Sequence, residues 1–205
     1  APAKTVSHAL YPVPHKLKKK LLLTLLSQTS TGRVLIVTRT KYRARNLARD
    51  LAKQKYRASA LQGNMSQNQR QKAINGFRDG KYDILVATDI AARGIDVTQI
   101  THVINFDIPN TVDAYTHRIG RTGRVDQTGE AYTFVSEEDG QMVRAIEKVL
   151  KAQIERRRVH GFDYGDFKPE NYSSQRRSKQ PRQTQPNRRR NQGRSHTARR
   201  NKKRA

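Results

Sequence analysis

The 205-residue sequence has no cysteine, which excludes disulfides, thiolate metal sites and a cysteine nucleophile. No apolar run is long enough to cross a bilayer; Leu21 to Leu26 is far too short and follows three lysines, Lys18, Lys19 and Lys20. Lysines followed by leucines mimic a signal peptide, but no small-residue cleavage site comes after them. A cytoplasmic protein with no membrane partner is therefore expected. The first residue is Ala1 rather than Met, consistent with a shortened or processed start. There is no internal repeat, and the six histidines lack metal-ligand spacing, so no metal site is expected on this chain.

Acidic residues are also scarce: 17 Asp and Glu stand against 42 Lys and Arg, a formal net charge of +25. That excess is far more than solubility requires and points to a polyanionic partner. It is unevenly spread. Residues 171–205 hold 13 Lys and Arg, no acid and one aromatic, Tyr172, which leaves net +12 for the first 170 residues. A segment so poor in apolar side chains cannot offset its own ordering entropy, so a disordered polycation is expected there.

The rest of the chain alternates between two periodicities. Ser7 to Val13 reads as a short first strand closed by Pro12 and Pro14, and Lys16 to Ser27 as a helix with Leu17, Leu21, Leu22, Leu25 and Leu26 on one side. Val34 to Val37 is a continuous apolar run, the pattern of a parallel strand buried on both faces. Helices are predicted over Tyr42–Lys53 (Ala44, Leu47, Ala48 and Leu51 inward), Ser66–Phe77 (Ser66 as cap; Ala73, Ile74 and Phe77 inward), Val112–Arg118 and Glu138–Lys151 (Met142, Ile146 and Leu150 inward). Strands are predicted at Ala58–Leu61, Asp83–Ala87, His102–Phe106 and Ala131–Val135. Asp107-Ile108-Pro109 reads as a simple turn out of its strand. Strand-helix alternation of this length implies an α/β fold, a parallel sheet covered by helices, with ligands at the C-terminal strand ends.

The most distinctive residues fall in those loops. Ala87-Thr88-Asp89-Ile90-Ala91-Ala92-Arg93-Gly94-Ile95-Asp96 resembles motif V of the DEAD-box helicases, and His117-Arg118-Ile119-Gly120-Arg121-Thr122-Gly123-Arg124 resembles their motif VI. Gln62 to Arg70, with Gln67 and Arg70 as a QxxR pair, is similar to the motif IVa region, and Val34 to Lys41 to motif IV. The resemblance runs from about Ser7 to Phe167, and Thr38-Arg39-Thr40-Lys41 with the ending after the last helix looks like the bacterial RhlE type. Two positions depart from the family pattern: an aliphatic, Ile36 or Val37, replaces the motif IV aromatic, and Gln62 stands where His is common. The resemblance implies the C-terminal RecA-like half of an ATP-dependent RNA helicase, spanning residues 1–160, followed by a basic, disordered RNA-binding tail over 161–205. The sequence contains neither GxxxxGK[ST] nor Asp-Glu-Ala-Asp; the family carries both on its N-terminal RecA-like half, which would bind most of the ATP and Mg²⁺. Hydrolysis by this chain alone is not expected.

By the same resemblance, Arg121 and Arg124 are arginine fingers for the γ-phosphate, where a guanidinium stabilises spreading negative charge. Asp96 accepts from the ATP ribose hydroxyls, unless it only caps the turn before Val97, and Gly94 permits close backbone approach. Thr40, Gly63, Arg70, Thr88 and Arg93 contact RNA phosphates, which carry no base information. His117 and Arg118 couple the site to the other half, while Asp89 orients its neighbours. The tail, with Arg188-Arg189-Arg190 and Lys202-Lys203-Arg204, would bind RNA by counterion release; a solubilising or nuclear-targeting tail is the alternative. The expected partners are single-stranded and duplex RNA, ribosomal RNA among them, and the N-terminal half of the same monomeric protein. Two rivals stay open, a non-catalytic RNA-binding or chaperone module driven by the tail and a DNA-directed motor.

Overall fold

The computed structural model describes residues 6–29, 31–93, 95, 97, 99–122 and 128–168. Seven strands form one sheet in the order β3-β4-β2-β5-β6-β1-β7: β1 (Val6–Pro12), β2 (Arg33–Thr38), β3 (Ala58–Leu61), β4 (Ile84–Thr88), β5 (Ile100–Asn105), β6 (Gly129–Val135) and β7 (Glu155–Arg156). Every pairing is parallel. Parallel neighbours need crossovers, here the helices α1 (Lys18–Gln28), α2 (Lys41–Lys53), α3 (Gln67–Arg78), α4 (Asp89–Ala92), α5 (Val112–Ile119) and α6 (Gly140–Leu150). The two-residue edge strand β7 and the short α4, directly behind β4, are absent from the periodicity, being too brief to show a period.

Alternation along the strands sorts the core. Val34 and Ile36, Ile84 and Val86, and Tyr132 and Phe134 join the helix stripes Leu21, Leu22, Leu25, Leu26 and Ala44, Leu47, Ala48, Leu51 on one face. Leu35, Val37, Leu85, Ala87 and Val103 point to the other face and meet Ala73 and Phe77 of α3 and Ala91 and Ala92 of α4. Leu10, Ala131 and Val135 pack with Tyr115 and Ile119 of α5 and Val143 and Ile146 of α6. Met142 and Leu150, expected inward, only flank this cluster, because Val143 takes the buried position. Ile74 likewise flanks its cluster. Local chemistry starts the helices: Ser66 Oγ accepts the Gln69 N–H while Gln69 Oε1 accepts the Ser66 N–H, and Thr40 Oγ1 accepts the Arg43 N–H.

The packed chain continues past residue 160, where the sequence pattern placed the end of the domain. Val159, Phe162 and Tyr164 are buried in the α1–α2 layer, with Phe167 against it. The Val159 N–H donates to the Tyr164 hydroxyl at 3.0 Å, and Phe162 and Tyr164 meet edge to face at 4.8 Å. Residues 169–205, with most of the expected tail, lie outside the described residues.

Asp107 is more than a turn. It is 3 % exposed, its carboxylate accepts the Arg39 N–H at 2.9 Å and Arg43 Nη1 at 2.6 Å, and Lys18 Nζ lies 3.8 Å away. Burial pushes the Asp107 carboxyl up, but the hydrogen bonds from Arg43 and the Arg39 backbone and the charges of Arg43 and Lys18 outweigh it, so its pKa sits below the usual carboxylate range. Burial dominates at Lys18 and pulls its pKa down against the attraction of Asp107 and Asp139. The two partners should therefore respond differently to removal. Asp107→Ala is expected to cost about 3–5 kcal/mol in urea unfolding, since it strands the buried Lys18 and the half-buried Arg43, whereas Lys18→Met should be close to neutral. A carboxyl with a lowered folded pKa stabilises above its unfolded pKa and loses that contribution as pH falls through the folded value. The gap between wild type and Asp107→Ala should accordingly be full above about pH 4 and shrink below it.

Candidate functional site

In a parallel sheet all C-terminal strand ends lie along one edge. β3, β4 and β2 are adjacent, so Gly63 after β3, Thr88 at the end of β4 and Thr40 after β2 form a row. Thr38 pairs in register with Thr88, and its hydroxyl donates to the Thr40 carbonyl at 3.2 Å. Across the row Lys41 Nζ donates to Asn64 Oδ1 at 3.1 Å. Gln62, buried, turns its Oε1 back to accept the Asn64 N–H at 2.7 Å, which shapes the loop that exposes Gly63. A Cβ at Gly63 would meet nothing within 4 Å, so its packing does not require glycine. Arg70 follows in the first turn of α3, half-buried, and its guanidinium makes no ion pair among the described residues.

A second group gathers around α4 and α5. Asp89, Arg93, His117, Arg118 and Arg121 line a small cavity of about 60 Å³ floored by Leu35 and Val37. His117 and Arg93 are exposed and Arg121 half-buried. Arg118, expected to couple the site to the other half, is 5 % exposed and directs its donors inward: to the Asp89 carboxylate through Nε and Nη2, and through Nη1 to Asn105 Oδ1 at 3.2 Å and the Asp107 carbonyl at 2.7 Å. Asn105 in turn donates to Thr133 Oγ1 at 2.9 Å. One guanidinium thus ties the segment after β4 to the end of β5, and Asn105 carries the tie on to β6. Behind Arg121, buried Thr122 donates its hydroxyl to the Ile100 carbonyl at 2.6 Å and shares it with that of Thr101. At Gly120 a Cβ would come within 3.3 Å of the Thr116 carbonyl. The loop bearing Arg121 is therefore held tightly from both sides.

The structure brings Arg93, His117, Arg118 and Arg121 to one cavity, with Thr40, Gly63 and Thr88 along the same sheet edge. It does not place Arg70 in that cavity. Gly94, Asp96, Gly123 and Arg124 lie outside the described residues. Sequence reasoning missed the anchoring role of Asn105, Thr122 and the Asp107 cluster; single polar residues inside apolar runs carry no periodic signal.

A scan by family finds the helicase conserved C-terminal domain over residues 17–126. The DEAD-box ATP-dependent RNA helicase CshA of Bacillus subtilis is 40 % identical over 151 residues, which cover 74 % of this chain and 31 % of that protein. Among solved structures, Escherichia coli DEAD-box protein SrmB bound to regulator of ribonuclease activity A superposes with a TM-score of 0.72 at 34 % identity, over 77 % of this chain and 93 % of that one. Saccharomyces cerevisiae Dbp5 bound to RNA and ADP BeF3 superposes with a TM-score of 0.71 at 29 % identity, over 77 % and 42 % of the two chains. The chain spans less than half the length of the curated relatives it matches.

Arg118→Ala should destabilise the domain by about 3 kcal/mol, the low end for a buried pair because Asp89 keeps part of its surface in water. Arg118→Lys should recover little, since a single ammonium cannot serve three acceptors set around a planar fork. Thermal unfolding of both variants is the check.

Proposed function

The chain belongs to the helicase conserved C-terminal domain family, in its DEAD-box branch, with the RecA-like fold of that branch, and on this premise we propose that it is the half of an ATP-dependent RNA helicase that grips RNA and completes the nucleotide site. The observation that carries the reading is the juxtaposition along one sheet edge: a row of hydroxyl and open backbone at Thr40, Gly63 and Thr88, next to a cavity walled by Arg93, His117 and Arg121.

Such a row suits phosphate oxygens and 2′-hydroxyls rather than bases. The Thr40 oxygen already accepts from the helix it caps, which leaves its proton to donate to a phosphate. Gly63 lets a strand approach the backbone, and Arg70 and Arg93 supply charge. Arg121 supplies a guanidinium on a pinned loop, ready to stabilise charge on the transferring phosphoryl group; Arg124 and Asp96 complete the set proposed for ATP. Arg118 acts at one remove, holding Asp89 and with it the Thr88–Arg93 segment against the loop of His117 and Arg121. Among the described residues no group of three His, Cys, Asp or Glu could hold a metal ion. By the family resemblance, the Mg²⁺ that accompanies ATP is assigned, with the phosphate cradle, to the N-terminal RecA-like half of the same protein. That half and RNA, bound without regard to base sequence, are the partners of this reading, and the active unit is one monomer.

The test fuses a DEAD-box N-terminal half to this chain and measures RNA-stimulated ATP hydrolysis. Arg121→Ala should lower turnover by about a thousandfold or more. Unchanged turnover would remove Arg121 from the site and favour a tail-driven binding module. Gly63→Ala offers a separate measure: it should leave the melting temperature unmoved, because the added methyl meets nothing, yet weaken RNA binding by filling the space a phosphate needs. Equal RNA affinity would place the strand elsewhere.

A further inference from the structure

Tyr42 has no role in the packing. It sits in the first turn of α2, 58 % exposed, and among the described residues it is the large aromatic left open to solvent. Lys41 Nζ lies 5.3 Å from its ring centre and the Arg45 guanidinium 5.8 Å. Lys41 also reaches Asn64, beside Gly63, so the ring borders the row of strand-end residues directly. On its other side Tyr42 and Thr40 border an open depression of about 420 Å³ between α1 and α2, into which His15, Lys16, Lys19 and Arg43 also project. Lys19 is matched by Asp50 and Arg43 by Asp107; His15 and Lys16 have no side-chain partner among the described residues. The exposed stripe of α2 continues as Arg45, Arg49 and Lys53. Residues one turn apart on a helix share a face, so this side of α2 presents one ring followed by three cations.

A lone exposed ring is ordinary on a protein surface, but a ring set between two cations offers a flat π-face and positive charge together, which call for a ligand both flat and anionic. Single-stranded nucleic acid fits both demands, since every base has a π-face and every linkage a phosphate. A protein partner would need an extended apolar counterpart, and α2 offers no second apolar residue on this face. We propose that Tyr42 is a stacking platform for a base of single-stranded RNA that runs beyond the Thr40–Gly63–Thr88 row, with Lys41 and Arg45 on its phosphates. The proposal rests on the RNA-binding reading of that row and extends the footprint to residues outside the helicase motifs.

The sequence contains no tryptophan, so Tyr42→Trp in the full 205-residue chain keeps the platform aromatic and makes it the sole tryptophan emitter. Titration with an oligouridylate of about 12 nucleotides, within the usual single-strand footprint, should quench that emission saturably. Val149→Trp, at an exposed position of α6, is the control and should stay unquenched. Tyr42→Ala should weaken binding of the same oligonucleotide by about tenfold, as loss of one stacked base does, while a Phe at this position should retain it. Unchanged emission from Tyr42→Trp at saturation, or equal quenching at both positions, overturns the platform. Arg70→Ala separates this from the parent reading. If it weakens binding while Tyr42→Trp is silent, the row stands and the platform falls. If neither responds, RNA does not follow this edge at all.

Discussion

A parallel sheet covered on both faces has nowhere to put polar side chains except at its ends. Leu35, Ile36, Val37, Leu85, Val86 and Val103 are wholly buried, so the central strands must be apolar on both sides along most of their length. Polar chemistry is thereby moved to the strand ends and the loops that follow. Because every pairing is parallel, the C-terminal ends converge, and residues as distant in sequence as Thr40, Gly63, Thr88 and Arg121 come to one edge. The site follows from how the sheet is built, before any individual contact is considered.

The same constraint sets the cost of that edge. Polar groups placed against the core must be satisfied, and Arg118 and Asp107 do this together. Arg118 takes the carboxylate of Asp89, the amide of Asn105 and the carbonyl of Asp107, while the Asp107 carboxylate takes Arg39, Arg43 and Lys18. The two clusters share a residue and join the ends of β2, β4 and β5 to α1, α2 and α5. A buried network of this kind fixes geometry more than it adds stability. Here it fixes the separation between the row of strand ends and the cavity, the one distance on which cooperation between them would depend.

The sequence made the alternation legible because long elements leave long signals. The α2 stripe, the Ser66–Gln69 cap and the apolar run at Val34 to Val37 each name their element and its inward face. The motif-like segments marked which loops carry chemistry. Short or solitary features were hidden. α4 is one turn long, and Val143 took the inward position that spacing had given to Met142 and Leu150. The inward ties of Arg118 to Asp89, Asn105 and Asp107 were hidden as well, because a guanidinium gives no sign in sequence of which way it turns. Lys18 was open to a closer reading: it falls on the same side as Leu21, Leu22 and Leu25, and a lysine among inward leucines implies a buried acid nearby. Phe162, Tyr164 and Phe167 lie among polar and glycine residues with no period, so their packing became evident only in three dimensions.

Charge adds direction to this edge. At the β3-β4-β2 end, the nearby acids are already engaged: Asp107 by Arg39, Arg43 and Lys18, and Asp89 by Arg118. Among the described residues Arg70, Arg93 and Arg45 make no ion pair, while Arg49 and Lys53 on the outer face of α2 lie near Asp50. Past β6 the balance reverses, with Glu137 and Glu138 exposed beside the end of that strand. One stretch of the edge is therefore electropositive and the other is not, although the net charge of the domain has one sign throughout. A flexible polyanion drawn in by the overall field would be turned toward β3, β4 and β2, where Thr40, Gly63 and Thr88 wait, and away from the acidic stretch. The acids that serve as internal ties thus have a second consequence. By being neutralised where they are, they leave the β3-β4-β2 stretch of the edge without an unpaired acid among the described residues.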